Sequence, residues 1–228
     1  MSVNKSKRVD KNYKGIILAL VTANGVSLLL FLLRYIDSGS TRYWFLIWNL
    51  ILAWLPLFFA ITLIKRLKTS SWLMPLNILL SVAWLVFLPN SFYLVSDLIH
   101  LQTNPDVSVL YDAVLFTSFI FNAFVGGYIS LYLIHTELLK RLSKRATNLV
   151  IAGVLLLCSF AIHVGRVLRW NTWDIIIHPS GLIFDVSEQV VNEAAQSRAL
   201  VTTISFFLLL GGMYMVIWQL ILLTKNDR

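Results

Sequence analysis

An all-α bundle of six membrane-spanning helices is the fold this sequence predicts, and three observations predict it. Hydrophobic residues make up 58% of the 228 and charged residues 13%, with a mean hydropathy of +0.76; soluble domains run nearer to about 45–50% and about 25%. Six apolar runs approach the ~20 residues that a helix needs to cross a bilayer. No stretch alternates in the manner of a barrel strand, which leaves helices as the element that satisfies its own backbone in lipid. This composition excludes a soluble globular enzyme, a disordered tail and a secreted disulfide scaffold. The single cysteine, Cys158, lies within an apolar run and reads as a buried thiol.

Residues 1–15 read as a basic tail carrying Lys5, Lys7, Arg8, Lys11 and Lys14. The first span, 16–33, resembles a signal-peptide core but has no small-residue cleavage site and is followed by further spans, so it is expected to be retained. The second span is 44–64. The third is 72–88, where Pro89 removes a backbone donor and is expected to end the helix. Asn90 then caps a continuation to residue 101. The fourth span, 113–134, carries no charge; the fifth is 149–165 and the sixth 199–223, leaving 224–228 as a tail. About 33 residues separate the last two spans, long enough to hold structure of their own. There Asp185 and Glu188 have capping-box spacing, and Val186, Val190, Val191 and Ala194 form a stripe, so a short amphipathic helix on the membrane surface is expected. Asn24, Asn49, Asn77 and Asn122 are expected to bond to neighbouring helices, and Gly126-Gly127 and Gly211-Gly212 to mark close packing.

Orientation follows from the basic residues. The tail and the loops around 65–71, 135–148 and 224–228 hold fourteen Lys and Arg, against five on the other face (Arg34, Arg42, Arg166, Arg169 and Arg198). The positive-inside rule then puts both termini in the cytoplasm of a plasma-membrane protein. It also accounts for the net charge of +8 without nucleic acid, since no basic stretch sits on a water-soluble domain.

The outer face carries the chemistry. After Asn90, helical spacing lines up Tyr93, Asp97 and His100, and a carboxylate three residues before a histidine can orient its ring. His163, Arg166, Trp170 and Asp174 share a second helical face at the end of span five, flanked by Arg169, Asn171 and Trp173. Arg166 lies roughly 26 Å along the helix from Leu149, near the far edge of the hydrocarbon core. Ionisable groups at that depth point to function, and arginines suit a phosphate or carboxylate. His100, His163 and Asp97 or Asp174 are ligand types for a metal, but no HxxxH or HExxH accompanies them, and none is expected.

Residues 87–101 (FLPNSFYLVSDLIHL) and 165–174 (GRVLRWNTWD), with Tyr111-Asp112 at the head of span four, resemble the signatures of a bacterial integral-membrane family, domain of unknown function 1361. The likeness runs from about residue 43 to the last span. It implies a polytopic membrane protein and the importance of these residues; it implies no reaction.

Three functions follow from this reading. One is an enzyme acting at the outer leaflet on a lipid or lipid-linked envelope substrate. Its base would be His100, oriented by Asp97, with His163 as a second catalytic candidate. Arg166 and Arg169 would grip phosphate or an oxyanion, and Asn90, Tyr93, Asn171, Trp173, Asp174 and Asp112 would contact substrate. The second is a transporter or permease, favoured by the Pro89 break. The third is a non-catalytic assembly subunit docking a partner through Trp170 and Trp173. Beyond the bilayer itself, the partner, the cofactor and the oligomeric state are left open.

Overall fold

Each apolar run folds as a helix, since in lipid a helix closes its own backbone bonds. The computed structural model describes residues 2–102 and 108–226, with side chains from residue 15 onward except at 190, 194, 225 and 226. In chain order the elements are α1 (Ser2–Ser38), α2 (Phe45–Arg66), α3 (Pro75–Tyr93), α4 (Val109–Leu138), α5 (Lys144–Val167), α6 (Asp174–Ile177), α7 (Pro179–Val191) and α8 (Glu193–Asn226). A 3₁₀ segment, Leu94–His100, follows directly on α3, and no strand occurs among the described residues. Among the described residues, six helices are long and apolar enough to cross a membrane. Their outward faces carry exposed Leu79, Val82, Phe121 and Leu208, the surface a bilayer covers.

The helices overrun the expected spans, because hydropathy marks the lipid-facing stretch while the backbone ladder continues into polar flanks. Residues 2–14 are helical turns of α1 ahead of the candidate span Gly15–Ser38, and 224–226 belong to α8. Met1, Asp106, Asp227 and Arg228 lie outside the described residues. Pro89 does not end α3. The helix opens with Pro75 in its first turn, where a missing N–H costs nothing, and runs through Pro89 to Tyr93. Asn90 is not a cap; it lies within the helix, its Nδ2 donating to the Phe87 carbonyl at 3.0 Å.

The long connection holds two helices. The second, α7, begins at Pro179 and not near Asp185, which lies mid-helix. Ile183, Phe184 and Val191 are exposed on it; the side chains of Val190 and Ala194 lie outside the described residues.

Inside the bundle, α2 packs on α3 and α4, α1 on α4, α3 on α5, and α5 on α8. Phe92, Phe124, Tyr128 and Tyr214 form an aromatic column through the core. Gly127 makes the α3–α4 approach possible, for a Cβ there would stand 2.6 Å from the Ser91 Cβ. Gly211 and Gly212 have open space around them and are not packing points. The four asparagines do bridge elements. Asn24 accepts from Trp54 Nε1 at 3.3 Å and Asn49 donates to Asp97 at 2.9 Å. Asn77 accepts from Arg66 Nε at 2.9 Å, and Asn122 donates to Ser27 Oγ at 2.8 Å. Contacts of Arg34 with Asp112, Arg42 with Gln102 and Arg166 with Asp97 gather the α1–α2, α3–α4 and α5–α8 connections at one end of the bundle, opposite both termini.

Candidate functional site

Arg166, in the last turn of α5, ties that helix to α3 and its 3₁₀ extension. Its Nε and Nη2 donate to Ser96 Oγ at 2.9 and 2.7 Å. Nη2 also pairs with Asp97, and Nη1 meets His100 Nε2 at 3.0 Å. The guanidinium lies 4.4 Å over the Tyr93 ring. All of these partners come from α3 and its 3₁₀ extension. In a 3₁₀ helix residues three apart eclipse one another, so Tyr93 and Ser96 form one row and Asp97 and His100 the next. Arg166 reaches both rows. Gly165 lets α5 come this close, for a Cβ there would stand 3.1 Å from the Tyr93 ring.

Asp97 is 2% exposed and fully engaged, its second oxygen accepting from Asn49 Nδ2 of α2 at 2.9 Å. It does not hydrogen-bond His100, as the helical spacing suggested. Instead the His100 ring packs edge-on against Phe45 at 5.3 Å. A guanidinium has only donors, so His100 Nε2 is the acceptor and Nδ1 carries the hydrogen.

Beside this cluster lies a cavity of about 530 Å³ between α2, α3, α5 and the α5–α8 connection. Its mouth is polar and aromatic, with Asn90, Asn171, Thr172, Arg166, Trp48 and Trp173 among its walls; its floor is Leu52, Leu85, Leu157 and Cys158. Leu157 and Arg166 are nine residues apart on α5, so the cavity runs about 13 Å along that helix.

The connection that roofs the mouth is shaped by one strained residue. After α5 ends at Val167, Arg169 adopts φ 61°, left-handed backbone that favours glycine. The chain reverses there, so Trp170 and Asp174 do not continue the α5 face. Asp174 Oδ2 instead accepts from the Asn171 backbone N–H at 2.7 Å, closing the turn before α6. Trp170 donates to Asp185 of α7 at 2.8 Å, Asn90 donates to Thr172 at 3.0 Å, and Trp173 meets Trp48 edge-on at 6.4 Å.

Of the residues singled out in the sequence, Asp97, His100, Arg166, Asn90, Tyr93, Asn171 and Trp173 converge on this cavity. Four do not line it. His163 is buried away from it, its Nε2 3.2 Å from Gln189 Oε1 of α7. Arg169 is exposed, and Asp174 serves the turn. Asp112 belongs to a separate lock, paired with Arg34 at 2.7 and 3.2 Å, both side chains 1% exposed. The Arg34 guanidinium lies 4.2 Å over Tyr43. Burial, with the Asp112 carboxylate behind it, pushes the Tyr43 phenol above its ordinary range. Among the described residues no three His, Cys, Asp or Glu side chains converge as metal ligands.

Sequence reasoning missed Ser96, Thr172 and Trp48, and took Asn49 for a plain helix bridge. Ser96 and Thr172 lie inside the two polar stretches and were legible there as hydroxyls. Trp48 and Asn49 sit in an otherwise apolar span, four and one residues from Leu52 and Trp48 respectively, with nothing in sequence to connect them to either stretch.

Residues 48–212 match the family described as Protein of unknown function (DUF1361). No curated protein and no solved structure matches the chain.

Proposed function

The chain belongs to the DUF1361 family, and from that premise we propose, on the geometry of its cavity, a multi-pass membrane enzyme acting on a lipid or lipid-linked envelope substrate. The observation that carries this reading is the cavity's division: polar groups at interface depth, apolar side chains below them. An amphiphile lying in one leaflet has the same division. The excess of basic residues at the other end of the bundle supports an outward-facing mouth, with both termini in the cytoplasm of a bacterial cell.

In this reading His100 is the base. Its acceptor nitrogen is occupied by Arg166 Nη1 at 3.0 Å. A substrate hydroxyl entering between them would donate to Nε2 in place of Arg166. The proton then passes from that hydroxyl to Nε2, and the displaced Nη1 faces the developing oxyanion. Ser96, Asp97 and Tyr93 hold the guanidinium while this exchange occurs.

The test is the envelope lipid profile of a deletion strain carrying wild type or His100→Ala, read by mass spectrometry. A species that accumulates in the deletion and persists with His100→Ala, at equal protein level, supports the enzyme. Identical profiles in all strains overturn it.

A further inference from the structure

The walls of the cavity select among amphiphiles, and resting on the proposed function we infer that its mouth takes a neutral sugar head group, with an apolar chain on the floor. The first observation is electrical. Among the residues lining the cavity, the acid and base of an ion pair are Asp97 and Arg166, and they are paired with each other. Arg169, the second cation that a phosphate would call on, does not line it. An anionic head would therefore be desolvated beside a carboxylate that is itself 2% exposed, with no unpaired cation in the wall to compensate.

The second observation is the wall chemistry. Trp48 of α2 and Trp173 of the α5–α8 connection meet edge-on at the mouth and are 44% and 38% exposed. The C–H face of a pyranose is apolar and rigid, and an indole covers it at little entropic cost. In the same wall, Asn90, Asn171 and Thr172 supply amides and a hydroxyl that both donate and accept. Sugar hydroxyls both donate and accept as well, whereas a fully ionised phosphate accepts only. The floor, Leu52, Leu85 and Leu157, offers a chain nothing but dispersion and burial.

The experiment uses the full chain purified in an amine-oxide detergent, with no glycosidic detergent at any step. Decyl β-glucoside, decyl phosphate and methyl β-glucoside are added below micelle-forming concentration, and bound adducts are counted by native mass spectrometry. Decyl glucoside is expected to bind saturably, and about tenfold or more tighter than decyl phosphate. Trp173→Ala is expected to weaken the glucoside by about three- to tenfold, with Trp173→Phe retaining most of it. Phe121→Ala, on the lipid-facing surface, is expected to leave it unchanged, and melting curves verify that each variant is folded. Equal or tighter binding of decyl phosphate overturns the sugar assignment and leaves the amphiphile reading standing. Methyl glucoside binding as tightly as decyl glucoside overturns the chain on the floor and marks a free-sugar site. Saturable binding of neither decyl compound overturns the amphiphile reading itself.

Discussion

Replacing Asp97 by Asn tests the electrical argument at its centre. The substitution keeps the shape and the acceptor oxygen facing Asn49 or Arg166, but removes the charge that neutralises Arg166. A phosphate touching Arg166 would stand roughly 6–8 Å from that carboxylate, where an effective dielectric near 20 gives about 2–3 kcal/mol of repulsion. Salt and water at the open mouth reduce this, so decyl phosphate should gain about 10–50-fold in affinity. Decyl glucoside, having no charge, should change by less than about threefold. The preference between the two heads therefore narrows or inverts in a single variant. Native mass spectrometry of wild type and Asp97→Asn side by side measures it. Arg166 is 18% exposed and still holds Ser96, so rehydration should limit the stability loss to about 1–3 kcal/mol. A folded Asp97→Asn protein whose glucoside-to-phosphate ratio stays at the wild-type value would refute the claim that paired charge sets the selectivity.

Other variants probe the scaffold and the base. Asp112→Asn strands the buried Arg34 and should cost about 3–5 kcal/mol, while the double change Arg34→Met with Asp112→Leu recovers most of it; detergent-solution melting separates the two. Gly127→Ala puts a Cβ 2.6 Å from Ser91 Cβ and should destabilise by about 1–3 kcal/mol on the same scale, without the selective loss of glucoside binding given by Trp173→Ala. His163→Phe removes the bond to Gln189 and should raise hydrogen exchange across Pro179–Val191; unchanged protection would mean that α7 is held by other contacts. His100→Gln keeps an acceptor near Arg166 but no titrating ring, so glucoside binding should persist while the deletion-strain lipid defect goes uncorrected.

Much of the site was legible in sequence because polar side chains in an apolar chain are conspicuous. Asp97, His100 and Arg166 stood out on cost alone, since ionisable groups near lipid need partners. Their partners were less legible. The spacing of Asp97 and His100 suggests a dyad on an α-helix, but the chain winds as 3₁₀ there, and Asp97 bonds Asn49 and Arg166 instead. Likewise His163 to Asp174 reads as one helical face. A single residue, Arg169 at positive φ, breaks that face, and no glycine announces the break. Pro89 was a false stop, because a helix packed in a bundle tolerates the single hydrogen bond that a proline removes.

By itself the sequence determined the number of spanning helices, the polar end of the bundle and the residue types gathered there. Hydropathy and the cost of burying charge are local properties, readable one segment at a time. Which carboxylate neutralises Arg166, that Asp112 serves Arg34 and not the site, and that Trp48 faces Trp173 were decided by tertiary structure alone. These are contacts between segments up to about 125 residues apart in the chain. They depend on how helices turn about their axes and how close glycines such as Gly165 let them come, and neither quantity is written in any one segment.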